Sequence, residues 1–265
     1  MKTLLNTIFF SAVIALISCN SNKVNDKKEP IKESVNIIEK TETKADIIIN
    51  KAIQAHGGKL YSEASYSFVF RKKAYSFINT ENSYTYSVKK QQDNKEVIDV
   101  LTNGNLTRTI NGKQIDLTSK DQSRYSESLN SVIYFATLPY KLNDAAVNRE
   151  YKGETIIKGI KYHVIEVTFK KEGGGKDFDD EFHYWVNMKT NTIDYLAYNY
   201  SVNNGGVRFR SAYNRRNIDG VIFQDYVNYK AEVGTALEDL PVLYEKGKLK
   251  ALSKIETEDV VSLKN

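Results

Sequence analysis

Cys19 is the one residue whose chemistry is specified by its neighbours, and it is the only cysteine among 265 residues. An almost wholly apolar run over residues 4–17 follows a positive start at Met1-Lys2, and Leu16-Ile17-Ser18 stand directly before the cysteine. This pattern marks the cleavage point of a secretory signal whose cysteine thiol receives diacylglycerol. The run is too short to span a bilayer as a stable helix. We therefore expect a lipoprotein signal peptide over residues 1–18 and a lipid anchor on Cys19; an ordinary buried thiol is the alternative.

An acidic run offers oxygen ligands for a metal ion. Asp177, Asp179, Asp180 and Glu181 follow three consecutive glycines, which let the backbone fold tightly. Carboxylate oxygens are the ligands that calcium prefers, so this run is a candidate calcium site. The run lacks the spacing of an EF-hand loop, and Lys176 would oppose a cation. A solvated hairpin tip is therefore the alternative.

Two histidines offer a second metal site. If the chain turns at the glycines, the strands predicted over residues 161–169 and 180–187 pair antiparallel, with paired residue numbers that sum to about 346 or 348. His163 and His183 then lie on one face, and with Glu181 nearby they could bind zinc. A shift of one residue in this register moves one histidine to the other face, so two unrelated strand histidines are the alternative.

The arginines of a later strand could recognise an anion. Arg208 and Arg210 share one face of that strand and could hold a carboxylate or a phosphate through paired hydrogen bonds. Arg215 and Arg216 continue the basic run. Ion pairs with acidic neighbours on a solvated face are the alternative role for all four side chains.

Three aromatic residues could line a cavity for an apolar ligand. Trp185, Tyr198 and Tyr200 are predicted to lie on one face of two neighbouring strands, joined by a turn at residues 189–191. These strands are apolar on both faces, however, which is equally typical of a sheet that is covered on both sides.

The sequence contains no recognisable catalytic or cofactor motif. It has neither the GxSxG nucleophile elbow nor the glycine patterns of Rossmann and phosphate-binding loops. The formal charge of +5 falls to +4 when Lys2 is removed with the signal peptide, which is too small to indicate a nucleic-acid partner. We therefore assign no cofactor and no catalytic residue. With no second cysteine, the exported domain cannot form an internal disulfide.

The periodicity divides the mature chain into a tether and a domain. Residues 19–44 hold the acylated cysteine and a polar segment typical of a flexible linker. Asp46 is expected to cap a helix that ends after His56 at Gly57-Gly58, and further helices are predicted over residues 121–136 and about residues 237–245. Elsewhere apolar and polar residues alternate with period two, with Asn-Gly pairs as type I′ turns.

These elements predict a mainly β (α+β) domain over residues 45–265. It has about ten or eleven strands in up-and-down order, with two or three helices. A single antiparallel sheet of that length must curl, so we expect a curved sheet or half-barrel with the helices on its concave side.

Four segments together resemble a family of uncharacterised bacteroidete outer-membrane lipoproteins. They are residues 55–58 (AHGG), 134–142 (YFATLPYKL), 172–177 (EGGGKD) and 207–214 (VRFRSAYN). The resemblance implies a lipoprotein without an assigned activity. In architecture alone, the predicted domain is also similar to the lipoprotein-carrier and sorting fold, an open half-barrel with helices as a lid over an apolar cavity.

The sequence therefore predicts a membrane-anchored lipoprotein that binds or carries an apolar or amphiphilic molecule. A hydrolase with a carboxylate and histidine site, or a structural envelope protein without a ligand, are the alternatives. Asn20-Ser21-Asn22 carry neither the aspartate that retains lipoproteins at the inner membrane nor an acidic run. This favours the outer membrane with the domain on the periplasmic side.

Overall fold

The structure is a computed structural model that describes residues 41–172, 180–201 and 204–264. Cys19, the predicted signal peptide and all of the predicted tether before residue 41 lie outside the described residues, as do Asp177 and Asp179. The described residues belong to one compact unit, Thr41–Asn265. Within them, no helix combines the length and the apolar character that crossing a membrane requires.

The described chain is built mainly of strands. The three α-helices are α1 (Lys44–His56), α2 (Ser119–Ala136) and α3 (Leu240–Glu245). The strands are β1 (Ser65–Phe70), β2 (Lys73–Thr80), β3 (Ser83–Gln92), β4 (Lys95–Thr102), β5 (Asn105–Ile110), β6 (Lys113–Ile115), β7 (Val147–Ile157), β8 (Ile160–Phe169), β9 (Phe182–Asn187), β10 (Ile193–Tyr200), β11 (Gly206–Ile218), β12 (Val221–Ala231), β13 (Lys250–Ile255) and β14 (Glu258–Ser262).

The strands form two antiparallel sheets of seven, and the predicted mainly β class with a few helices is confirmed. The first sheet has the order β14-β1-β2-β3-β4-β5-β6, and the second has the order β13-β12-β11-β10-β9-β8-β7. Only two residues, Glu256 and Thr257, separate β13 from β14, so the chain steps from the edge of one sheet to the edge of the other. The sequence pattern indicated one curved sheet; the structure has two, and the chain passes from the first to the second across residues 116–146, which contain α2, and returns at this step.

A buried carboxylate stabilises the step between the sheets. Asp225 of β12 accepts hydrogen bonds from the backbone N–H and the hydroxyl of Thr257. It also pairs with Arg216, at 2.8 Å from Nη1, and accepts from Asn214. Two of these donors belong to Thr257 in the step and the others to β11, so Asp225 has its charge satisfied and links the residues between β13 and β14 to β11 and β12.

The first helix ends where the glycines predict, but its start differs from the prediction. Thr43 is the N-cap: its hydroxyl accepts from the backbone N–H of Asp46, and the Asp46 carboxylate accepts from the backbone N–H of Thr43. Asp46 is therefore the third helical residue of a capping box and not the cap itself. Lys44, which the prediction assigned to the tether, is the first residue of α1.

The helices cover the sheets on different sides. We call inner the face of the second sheet that carries Ile165, Tyr184 and Leu196, which packs against α1. We call outer the face that carries Trp185, Tyr195 and Phe209, which packs against the segment containing α3. Helix α2 packs through Leu129 and Ile133 on the first sheet, and its last turn reaches the inner face of the second.

Candidate functional site

The three aromatic residues predicted to share one face lie on both faces of the second sheet. Trp185 pairs with Tyr195, and Tyr198 pairs with Phe182. Directly paired residues of antiparallel strands point to the same side, so Trp185 lies on the outer face while Tyr198 lies on the inner face. The prediction of a shared face is therefore wrong for Trp185. Tyr198 and Tyr200 remain together on the inner face.

One cavity, of about 420 Å³, lies beside α1 and is largely open to solvent. Another cavity lies next to Tyr198, between α2 and the two sheets, and is more enclosed. This inter-sheet cavity has a volume of about 390 Å³, within the range of small-molecule sites of roughly 300–1,000 Å³. Helix α2, the first sheet, and the inner face of the second sheet each contribute to its wall. The lining includes Phe68, Phe70, Val132, Phe135, Tyr198, Arg210, Tyr226 and Asn228.

Arg210 is the charged residue buried in the wall of this cavity. Its Nη2 donates to the Tyr198 hydroxyl at 2.9 Å, and its Cζ lies 4.0 Å from the centre of the Phe135 ring. Nε and Nη1 are buried and donate to no described residue, and no carboxylate of the described residues forms an ion pair with it. Asn228, paired directly with Arg210 on β12, likewise has a buried Oδ1 without a described partner.

The other predicted arginines have partners. Arg208 lies two residues before Arg210, on the same face of β11 but outside the cavity lining. It donates to the Tyr200 hydroxyl and to a backbone carbonyl. Arg215 pairs with Asp194 at 2.7 Å, and Arg216 pairs with Asp225. For Arg215 and Arg216 the alternative role, ion pairing, is the one found. Arg210 and Tyr198 are thus the two predicted ligand residues that reach the cavity.

A third pocket, with a volume of about 630 Å³, lies on the outer face of the second sheet. Glu166, Glu181 and His183 converge in it, with one ligand atom of each within 4.8 Å of the others. Glu166 and His183 are direct partners across β8 and β9. Lys152 and Trp185 complete the same wall, and the segment before α3 closes it.

His163 is not part of this cluster. Paired residues of β8 and β9 sum to 349, as for His163 with Val186 and Glu166 with His183. This odd sum differs in parity from the predicted one, so the two histidines lie on opposite faces. His163 contacts Tyr151 on the inner face, and burial lowers its pKa.

The predicted calcium ligands are only partly described. Asp180 and Glu181 are described, and Glu181 alone belongs to the converging group. Sequence reasoning missed Glu166, Phe135 and Asn228. Glu166 carries a signal in hindsight, since it alternates with Val164 and shares its face, but the partner strand that completes the group depends on a register that the sequence leaves open.

His56 is a structural residue at the end of α1. Its Nε2 accepts a hydrogen bond from the backbone N–H of Ile193 at 3.2 Å, and the ring is fully buried. Burial, reinforced by the charge of Arg215 and opposed by that of Asp194, lowers its pKa to about 4. The neutral ring therefore ties α1 to the second sheet at neutral pH.

Two open antiparallel sheets with a helix over an aromatic cavity define a mainly β protein with a site of ligand size. The chain belongs to the family of unknown function DUF6503, whose model matches residues 6–257. A comparison with curated proteins finds no match.

Solved structures of weak similarity extend over most of the chain. A LolA superfamily protein from Nitrosomonas europaea is 10% identical, with a TM-score of 0.48 over 83% of this chain and 94% of that one. A DUF1329 family protein from Desulfovibrio piger is 14% identical, with a TM-score of 0.40 over 83% and 93%. The Mycobacterium tuberculosis lipoprotein LppX is 12% identical, with a TM-score of 0.28 over 61% and 89%.

Proposed function

We propose that this protein binds an amphiphilic molecule whose anionic head group meets Arg210 and whose apolar part occupies the inter-sheet cavity. The observation that carries the proposal is the buried Arg210 guanidinium, with Nε and Nη1 unpartnered among the described residues, in an otherwise largely aromatic and aliphatic wall. A carboxylate or phosphate oxygen is the partner that such donors favour.

Other buried charged residues, such as Arg108 and Asp225, form ion pairs, whereas Arg210 forms none with a described residue. Arg108 is about as buried, yet two of its nitrogens donate to the Asp99 carboxylate at 2.5 and 2.7 Å. Asp225 is likewise fully paired. Burial of a charge without a partner costs several kcal/mol of folding stability. We infer that a bound anion offsets this cost at Arg210. The Phe135 ring and the Tyr198 hydroxyl compensate only part of that cost.

The same contacts indicate how a ligand enters. Phe135 belongs to the last turn of α2 and stacks on the guanidinium, and the two unpartnered nitrogens are buried. A head group reaches them when the Phe135 ring turns aside. Ser128, Ser131 and the exposed Arg71 stand at the same cavity, where they offer polar contacts to the entering molecule.

The predicted lipid anchor fits this role. A diacylglycerol on Cys19 would hold the domain at the outer membrane on the periplasmic side, where amphiphiles leave and enter the bilayer. We propose a lipoprotein that carries or senses such a molecule at that surface.

Competition with a fluorescent fatty acid tests the proposal. In this assay, we expect a sixteen-carbon carboxylate to bind at least about tenfold more tightly than the matching alcohol. The reason is that a hydrogen bond to a charged group contributes about 1.5–3 kcal/mol. Arg210→Met should bring that ratio close to one without lowering the melting temperature, since the change removes an unpaired buried charge.

Arg208→Met is the matched control. It removes the same charge from the same face of the same strand, outside the cavity lining, so it should keep the preference for the carboxylate. Equal affinity of the unmodified protein for carboxylate and alcohol, or an equal effect of both substitutions, would contradict the proposal. The absence of binding of either molecule would favour a structural envelope protein.

A hydrolase is the second candidate, because Glu166, Glu181 and His183 converge in a polar pocket. Carboxylate and imidazole groups that meet in this way can act as general acid and base. Turnover of nitrophenyl esters or phosphates that is lost in Glu181→Gln and kept in Arg210→Met would establish it. No turnover with either class of substrate would leave the binding role alone.

A further inference from the structure

We propose that Glu166, Glu181 and His183 bind a divalent transition-metal ion of the zinc class on the outer face of the second sheet. This site is separate from the amphiphile cavity, because its residues point away from α1 and α2. It uses described residues only and includes none of residues 173–179.

The proposal rests on the burial of the His183 side chain and on its missing hydrogen bonds. Its side chain is 3% exposed, and neither Nδ1 nor Nε2 makes a hydrogen bond with a described residue. A buried imidazole normally has a partner for at least one nitrogen. Here Nε2 instead lies 3.1 Å from Glu181 Oε1 and 3.6 Å from Glu166 Oε2, without the alignment of a hydrogen bond.

These separations are close to those between ligands that share one ion. Nitrogen and oxygen ligands at about 2.0–2.1 Å from zinc lie roughly 3.0–3.5 Å from one another. The two carboxylates reach the histidine from different places: Glu166 from the paired strand β8, and Glu181 from the residue before β9. The Asn199 side chain accepts from the backbone N–H of Glu181 at 3.1 Å and holds it in position.

The ligand types select the metal. One imidazole with two carboxylates suits zinc, cobalt, manganese and iron, whereas calcium prefers six to eight oxygen ligands. Three protein ligands leave coordination positions open towards the pocket, as in zinc sites that also hold water or a substrate.

Lys152 competes for the same carboxylate. Its Nζ lies 3.0 Å from Glu166 Oε2, and its side chain is partly exposed. A metal ion must displace this ammonium, and the exposed side chain has room to swing into solvent. Removal of the Lys152 charge should therefore strengthen metal binding.

Trp185 reports on the site. It is the only tryptophan of the chain, and its ring centre lies 6.0 Å from that of His183. We expect Co²⁺, added to the purified protein without a histidine tag, to quench Trp185 emission to saturation at micromolar concentration, and Zn²⁺ to reverse the quenching. Ca²⁺ at the same concentration should have no effect.

Matched substitutions separate the site from general metal binding. Glu181→Gln and Glu166→Gln should each weaken Co²⁺ binding at least tenfold, and Lys152→Met should strengthen it several-fold. Glu238→Gln, in the same pocket but outside the converging group, should leave it unchanged. Circular dichroism confirms that each variant is folded. Unchanged affinity in both glutamine variants, or no saturable quenching in the unmodified protein, would overturn the proposal.

Discussion

Two side chains with buried nitrogens that make no hydrogen bond to a described residue face pockets on opposite sides of the second sheet. Arg210 faces the inter-sheet cavity, and His183 faces the outer pocket. Elsewhere the chain pairs its buried charges, as Arg108 and Asp225 show. The contrast between paired and unpaired buried groups therefore marks two places where a bound molecule or ion would complete the structure.

His56 predicts the pH dependence of stability at the residue scale. Its pKa is about 4 in the folded chain and about 6.5 when unfolded, so the unfolded chain binds the extra proton first as the pH falls. The contribution of the neutral His56 ring to the free energy of unfolding is complete above pH 6.5. It falls by about 3 kcal/mol as the pH is lowered to 4. In urea unfolding, the difference between wild type and His56→Gln should shrink by that amount from pH 7 to pH 4. Parallel pH profiles would contradict this role.

The sequence predicts the identity of site residues better than their grouping. Arg210 and Tyr198 were found from their alternation along β10 and β11. Trp185 was placed on the wrong face because β10 has a bulge: Ile193 pairs with Val186, but Tyr195 pairs with Trp185. The extra residue moves every later side chain of β10 to the opposite face relative to β9. Alternation within one strand cannot reveal such a shift.

Local signals specify most elements. Asn103-Gly104 and Asn111-Gly112 have the positive φ angles of type I′ turns, and α1 ends at Gly57 as predicted. Strands β2 and β14 were not predicted. Strand β14 is short and half-exposed, and it exists through its pairing with β1, nearly two hundred residues earlier in the chain. Such a pairing leaves no local pattern in the sequence.

The capping box of α1 gives a prediction at the element scale. Thr43→Ala removes the acceptor of the Asp46 N–H and should lower the free energy of unfolding by about 1 kcal/mol. Thr43→Ser keeps the hydroxyl and should change stability by much less. Urea unfolding measures both variants. Equal losses in the two variants would show that the threonine methyl group, and not the cap, stabilises the helix start.

The division into two sheets is a property of the whole molecule. The sequence indicated one curved sheet, since most consecutive strands follow one another with short turns. The chain instead changes sheets twice, across the segment that contains α2 and at Glu256-Thr257, where Thr257 donates to Asp225. The inter-sheet cavity depends on the same step, because the first sheet, the second sheet and α2 meet around it. Neither feature follows from local periodicity.

Lipid anchoring, which involves residues outside the described part, remains a prediction at this scale. Cys19→Ala should block acylation and leave a soluble protein or an uncleaved precursor, whereas the unmodified protein should carry diacylglycerol and enter the detergent phase in detergent extraction. An unmodified protein whose mass shows no lipid would contradict the lipoprotein interpretation. The variant should keep its melting temperature, since residue 19 precedes the compact unit.

Photo-crosslinking with a fatty acid that carries a mid-chain diazirine tests the central claim most directly. After irradiation, mass spectrometry identifies the labelled residues. We predict adducts on the cavity lining, at Val132, Phe135 and Tyr226, that disappear with excess unlabelled fatty acid and need about tenfold more probe in Arg210→Met. Adducts confined to the outer face, around Trp185 and Leu237, or cavity adducts with the same concentration dependence in Arg210→Met, would contradict the account.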